Sequence, residues 1–302
     1  MFDAKDMIPK EIIRKIRRIQ ITTSRKVTDV FAGQYQSVFK GLGIEFDEVR
    51  EYFPGDDIRS IDWNVTARTG HPYVKKFVEE RQLTIMILLD VSLSCRFGTV
   101  NSTKSDIAAE ICSIIAFSAI QNSDKVGMLT FTDRVEKFIP PRKGVRHVLR
   151  VIREALYNTP SGRKTDINCA LEHLNRVTSR RTITFIISDF LTADFKKMLS
   201  ITNKRHDVIA VTIKDPAELK LPDAGMVKMH DAETGQPFIV DTSDPVVRRS
   251  YEAHSKFLEN RRKELFQSTK VDSIGIRTDR SYIEPLVQFF KMREKRLVRM
   301  MR

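Results

Sequence analysis

A chain of 302 residues, 41% hydrophobic and 30% charged, has the composition of a soluble globular protein. It is long enough for one large α/β domain plus an accessory piece. No apolar stretch is long enough to span a bilayer. The net charge of +13 suits an acidic protein, nucleic acid or an anionic membrane surface, but the basic clusters near the two ends of the chain are read first as solvated helix faces.

The first ten residues carry Asp3, Asp6 and Lys10 and lack the apolar core of a signal peptide. Cys95, Cys112 and Cys169 are widely spaced and form no metal or redox motif. A reduced, cytoplasmic setting is therefore expected. Residues 9–21 place Ile12, Ile13, Ile16 and Ile19 at helical spacing, with Arg14, Lys15, Arg17 and Arg18 between them. Such a helix packs its isoleucines on its own domain or lies on a membrane surface.

Between residues 36 and 76 the text changes. Gly41-Leu42-Gly43 signals a turn or bulge, and Pro54-Gly55-Asp56 a second turn. Residues 58–63 alternate in polarity, and residues 73–78 form a further short strand. Asp56, Asp57, Arg59 and Asp62 crowd beside Trp63, the sequence's one tryptophan. A small β-rich subdomain is expected, with the boundary near residue 80. The chain then divides into 1–80 and an α/β domain with a C-terminal helix over 81–302.

From Leu83 the rhythm becomes strand, helix, strand. Residues 83–89 are an apolar run that ends in Asp90. Ser105 is the expected cap of a helix to about residue 120, apolar on nearly all sides. Strands follow at 126–131 and 135–139, the second as hairpin partner of the first. Gly144 opens a helix carrying Val148, Leu149 and Ile152. Thr165-Asp166 precede another, with Ile167, Ala170, Leu171 and Leu174 inward. Residues 182–187 form a strand ending in Ser188-Asp189, then a helix at 194–201 and a strand at 208–213. A proline- and glycine-rich stretch, 215–243, holds a hairpin of 226–229 against 238–241. Asp244-Pro245 starts a long helix whose expected inner face is Val247, Tyr251, Leu258 and Leu265. The last strand is 271–276. Ser281 and Glu284 form a capping-box pattern before the final helix and its basic tail: Lys291, Arg293, Lys295, Arg296, Arg299 and Arg302. This alternation predicts a mostly parallel sheet covered on both faces.

Oxygen donors gather at three strand ends or following loops: Asp90, Ser92 and Ser94; Thr165 with Asp166; Ser188 with Asp189. In a parallel sheet these all lie at the carboxyl edge, where ligands bind. A donor set of carboxylates and hydroxyls, without thiolate or imidazole, suits Mg²⁺ or Mn²⁺ better than Zn²⁺. A partner's carboxylate could fill a position left open on the ion. Singly, each residue is equally well read as a polar turn or a helix cap.

The pattern D-x-S-x-S, a later threonine and an aspartate after a further strand resembles the metal-ion-dependent adhesion site of von Willebrand factor A domains. Here it is Asp90, Ser92, Ser94, Thr165 and Asp189. The resemblance covers roughly residues 82–280 and implies a von Willebrand factor A-like, Rossmann-type α/β fold. It further implies that the serines and threonine bind the metal directly or through water, and the aspartates directly or at one remove. The run from Gly41 to Tyr52, then Gly55 to Trp63, with Ile187-Ser188-Asp189-Phe190, is similar to the bacterial domain-of-unknown-function 58 family. That resemblance implies partnership with a MoxR-type AAA-plus ATPase in maturing other proteins.

Two rival classes stand beside a metal-dependent interaction protein. An aspartate after a buried strand can accept a phosphoryl group, so a phosphatase-like enzyme using Asp90 is one. A haloacid-dehalogenase-type site would want an acid where Ser92 stands. Gly162-Arg163-Lys164-Thr165 is not a phosphate-binding loop, and neither a G-x-S-x-G elbow nor H-E-x-x-H occurs. Cys95 is read first as a small buried side chain. The other rival is nucleic-acid or anionic-membrane binding through the basic ends. No aromatic-interleaved strand motif for single strands accompanies it. The expectation is a non-catalytic module.

Overall fold

The computed structural model describes residues 41–100, 102–192, 194–230 and 236–300. The helix expected at 9–21 lies outside the described residues. The first element is β1 (Gly41–Glu51), antiparallel to β2 (Tyr73–Arg81). Its register slips between Leu42 and Glu45 and between Phe46 and Glu48, so the glycine-rich start is a bulged strand rather than a turn. Between them lies α1 (Trp63–Thr69).

A six-stranded sheet forms the centre, in the order β10-β7-β6-β3-β4-β5. β3 (Thr84–Asp90), β4 (Lys125–Phe131), β6 (Ile183–Ser188), β7 (Asp207–Lys214) and β10 (Asp272–Arg277) run parallel. β5 (Val135–Arg142) closes one edge antiparallel to β4, as the hairpin reading required. The α/β architecture expected from the sequence is the one observed: a mostly parallel sheet with helices on both faces. β3 sits at its centre, and the chain leaves it first toward β4 and later returns to β6 on its other side.

Side chains alternate across β3, so its apolar run feeds two cores. Ile85, Ile87 and Leu89 pack with α2 (Lys104–Gln121), α3 (Val145–Tyr157) and α8 (Ile283–Met300). Met86 and Leu88 pack with α4 (Ile167–Val177), α5 (Lys196–Arg205) and Phe266 of α7 (Pro245–Ser268). α2 is buried almost all round. The short helix α6 (Pro216–Leu219) and the hairpin β8 (Met226–His230) with β9 (Pro237–Asp241) complete the chain. Among the described residues no helix is long and apolar enough to cross a membrane.

Three details differ from the sequence reading. Residues 58–63 are not a strand. Asp57 accepts the amide of Arg59 and Asp62 those of Asn64 and Val65, which turns the chain helical instead. The cap of α2 is Thr103, two residues before Ser105, in a capping box with Asp106. On α7 only Phe266 is fully buried; of the inner face read from periodicity, Val247, Tyr251 and Leu265 are half-buried and Leu258 stays 36% exposed.

Candidate metal centre

The carboxyl ends of β3 and β6 are neighbours where the sheet order reverses, the place where open α/β sheets take ligands. Asp90, the last residue of β3, is 2% exposed. One of its oxygens accepts the amide of Ser92 at 3.0 Å; the other accepts the hydroxyl of Ser188 at 2.6 Å. The first bond is an Asx turn, which swings the chain into a 3-10 turn at Leu93–Arg96. That turn brings the Ser92 and Ser94 hydroxyls to 3.1 Å from each other.

Asp189 follows β6 and is 1% exposed. Its Oδ1 accepts the amide of Leu191 at 3.1 Å and its Oδ2 the ammonium of Lys104 at 2.7 Å. The next residue, Phe190, has φ of 57°, a strained value for a bulky side chain. The loop bearing Thr165 is tied to both ends. Leu93 N–H donates to Arg163 O at 3.2 Å, and the Thr192 hydroxyl to Thr165 O at 2.6 Å. Glu136 of β5 anchors the loop's start by accepting the amides of Ser161 and Gly162. Gly162 lies so close to Thr132 and Asp133 that any side chain there would collide. The hydroxyls and carboxylates foreseen at three separate points therefore sit on segments that meet. Asp166 takes another part: it caps α4 through the amide of Asn168.

Ligand atoms of Asp90, Cys95 and Asp189 lie within 4.8 Å of one another. Burial pushes the Cys95 thiol well above its usual range, with the charges of Asp90 and Asp189 adding to it. It stays a neutral thiol, and thiolate is the metal-binding form. Burial, and then the charge of Asp189, raise Asp90 to about 6. Two carboxylates held this close cost free energy unless a cation sits between or beside them. Each oxygen has two lone pairs, so those not engaged by Ser92, Ser188, Leu191 or Lys104 can still accept. With two serine hydroxyls alongside, the donor set fits a hard divalent cation. Of the five residues read from the sequence, Asp90, Ser92, Ser94 and Asp189 lie at this edge, and Thr165 is joined to it through its main-chain carbonyl.

Sequence reasoning missed Lys104. Its side chain is 1% exposed and its ammonium bonds Asp189 at 2.7 Å and Glu218 of α6 at 2.5 Å. Burial alone would lower its affinity for a proton, but the two carboxylates outweigh that and hold it above the ordinary lysine value. One signal was available: a lysine in the first turn of a helix faces the positive end of the dipole, an unfavourable place unless acids lie nearby.

A family model described as "Protein of unknown function DUF58" matches residues 48–261. The uncharacterized protein Rv1480 of Mycobacterium tuberculosis is 30% identical over 295 residues, covering 96% of this chain and 92% of its own. Among solved structures, BatB from Bacteroides thetaiotaomicron is 16% identical, covering 70% of this chain and 99% of its own, with a TM-score of 0.45. The SpRpn10 VWA domain is 11% identical, covering 68% and 94%, with a TM-score of 0.36.

Proposed function

This chain belongs to the DUF58 family, and we propose that it is a metal-dependent protein-interaction module rather than an enzyme. Mg²⁺, or Mn²⁺, is held at Asp90, Ser92, Ser94, Thr165 and Asp189 and bridges to an acidic side chain of a partner. The partner class is a MoxR-type AAA-plus ATPase, and the setting is the cytoplasm. The observation that carries this reading is the pair of buried carboxylates, Asp90 and Asp189, within 4.8 Å at the sheet's carboxyl edge beside paired serine hydroxyls. The experiment is a pulldown of a MoxR-type ATPase from the same genome by this chain and by Asp90→Ala. Binding should need Mg²⁺ and vanish in the variant. Binding that survives both chelation and the substitution defeats the bridging idea.

Lys104 favours one rival. An ammonium beside two aspartates is a setting in which a phosphoryl group on Asp90 would be neutralised. Against this, the ammonium is already held by Asp189 and Glu218, and Ser92 stands where a general acid is needed. Phosphatase activity abolished by Asp90→Asn would establish the rival. The basic-end alternative loses part of its support. Arg293 is paired with Asp207 and Asp272, each at 2.7 Å, so it pins α8 to the starts of β7 and β10.

A further inference from the structure

Two cavities adjoin on the outer side of the same edge. One, of about 280 Å³, has Ser94 and Asp189 among its walls. The other, of about 470 Å³, lies between the loop after β6 and α7. Leu191, Leu258 and Arg262 line both, so they form one groove that starts at the proposed metal site. Leu265 and Phe195 extend its apolar wall. Along this stretch of α7 Phe266 alone is fully buried, and Leu258 is exposed.

Its charges are unevenly satisfied. Arg262 donates to the main-chain carbonyl of Asp189 at 3.1 Å, and among the described residues that is its one hydrogen bond. A guanidinium carries five donors. Its neighbour Arg261 is exposed and makes neither a hydrogen bond nor an ion pair among the described residues. The nearby acids are engaged elsewhere: Asp189 and Glu218 by Lys104, Glu259 by Lys214 and Lys263. Asp194 at the far wall takes the amide of Lys196. The groove thus offers apolar walls and spare cationic donors, on a chain whose net charge is +13.

We propose that this groove binds an acidic protein segment, with a carboxylate on Arg262 and an aliphatic side chain between Leu191, Leu258 and Leu265. The segment continues the partner contact proposed at the metal and so names the chemistry of that partner, resting on the interaction reading above. Arginine suits the task because its fork matches a carboxylate with two parallel hydrogen bonds.

The probe is a fluorescein-labelled octapeptide alternating glutamate and leucine, followed by anisotropy against the full chain in Mg²⁺. Arg262→Gln and Leu258→Glu should each weaken binding about tenfold or more, the latter at an exposed position that leaves the core intact. Arg249→Gln, an exposed residue on the first turns of α7, should leave it unchanged. A glutamine–leucine peptide should not bind. If Arg262→Gln and Leu258→Glu leave the affinity unchanged while chelation abolishes binding, the groove is overturned and the metal bridge stands. If both variants weaken binding and chelation has no effect, the groove is supported and the bridge is overturned. A short oligothymidylate that binds more tightly than the peptide and is released by Arg262→Gln overturns the assignment to protein. No binding of the acidic peptide overturns it as well.

Discussion

The side chains at the sheet edge differ in how far their neighbours can be read from the chain. Asp90, Ser92 and Ser94 stand at the end of an apolar run, so their place at a strand terminus follows from periodicity alone. Thr165 and Asp189 needed the strand–helix register to be put at the same edge. Lys104 could not be placed at all, because its partner Asp189 is 85 residues away and only the topology brings them together. Its effect is large for that reason. Removing one member of a buried pair leaves an uncompensated charge, which costs about 3–5 kcal/mol. Lys104→Met should therefore lower stability by about that amount in urea denaturation with chelator present. A loss below about 1 kcal/mol would mean that Asp189 does not depend on the ammonium.

At the scale of elements, long and strongly periodic segments were legible, and short or locally capped ones were not. The alternation over residues 58–63 is too brief to outweigh the capping carboxylates of Asp57 and Asp62. The inner face of α7 was set by period, but period cannot say whether anything lies opposite, and only Phe266 finds full cover. The junction of α5 and β7 supplies a pH test. His206 closes α5 and is 1% exposed; its Nδ1 accepts from the amide and hydroxyl of Thr182, just before β6. The ring is therefore neutral. Burial, reinforced by Arg205 and Arg181, lowers it from 6.5 to about 4. A depressed folded value means the contribution is present above the unfolded value and is lost as pH falls from about 6.5 to about 4. Asp90, raised to about 6, works in the opposite sense, since its burden is relieved as it protonates. The two are separated by comparing wild type with His206→Gln at each pH. Between pH 7 and 4 the wild type should lose up to about 3 kcal/mol more than the variant. Parallel losses would show that His206 is not the titrating group.

The whole molecule is a central strand with its terminus turned into a donor array, flanked by everything that keeps the array in place. Two cores on opposite faces of β3 fix its height in the sheet. The return of the chain to β6 brings Ser188 against Asp90 and Asp189 against Lys104. The groove along α7 opens from the same edge. The fold class follows from alternation of strand and helix, whereas the strand order is set by the tertiary structure. The exposed groove and the buried lysine belong to tertiary packing. The central claim is that this edge holds a divalent cation, and calorimetric titration of Mg²⁺ into the chain and into Asp90→Ala tests it most directly. One binding site in the wild type, lost in the variant with its fold retained by circular dichroism, is the predicted result. No heat from the wild type, or the same isotherm from both, would contradict it.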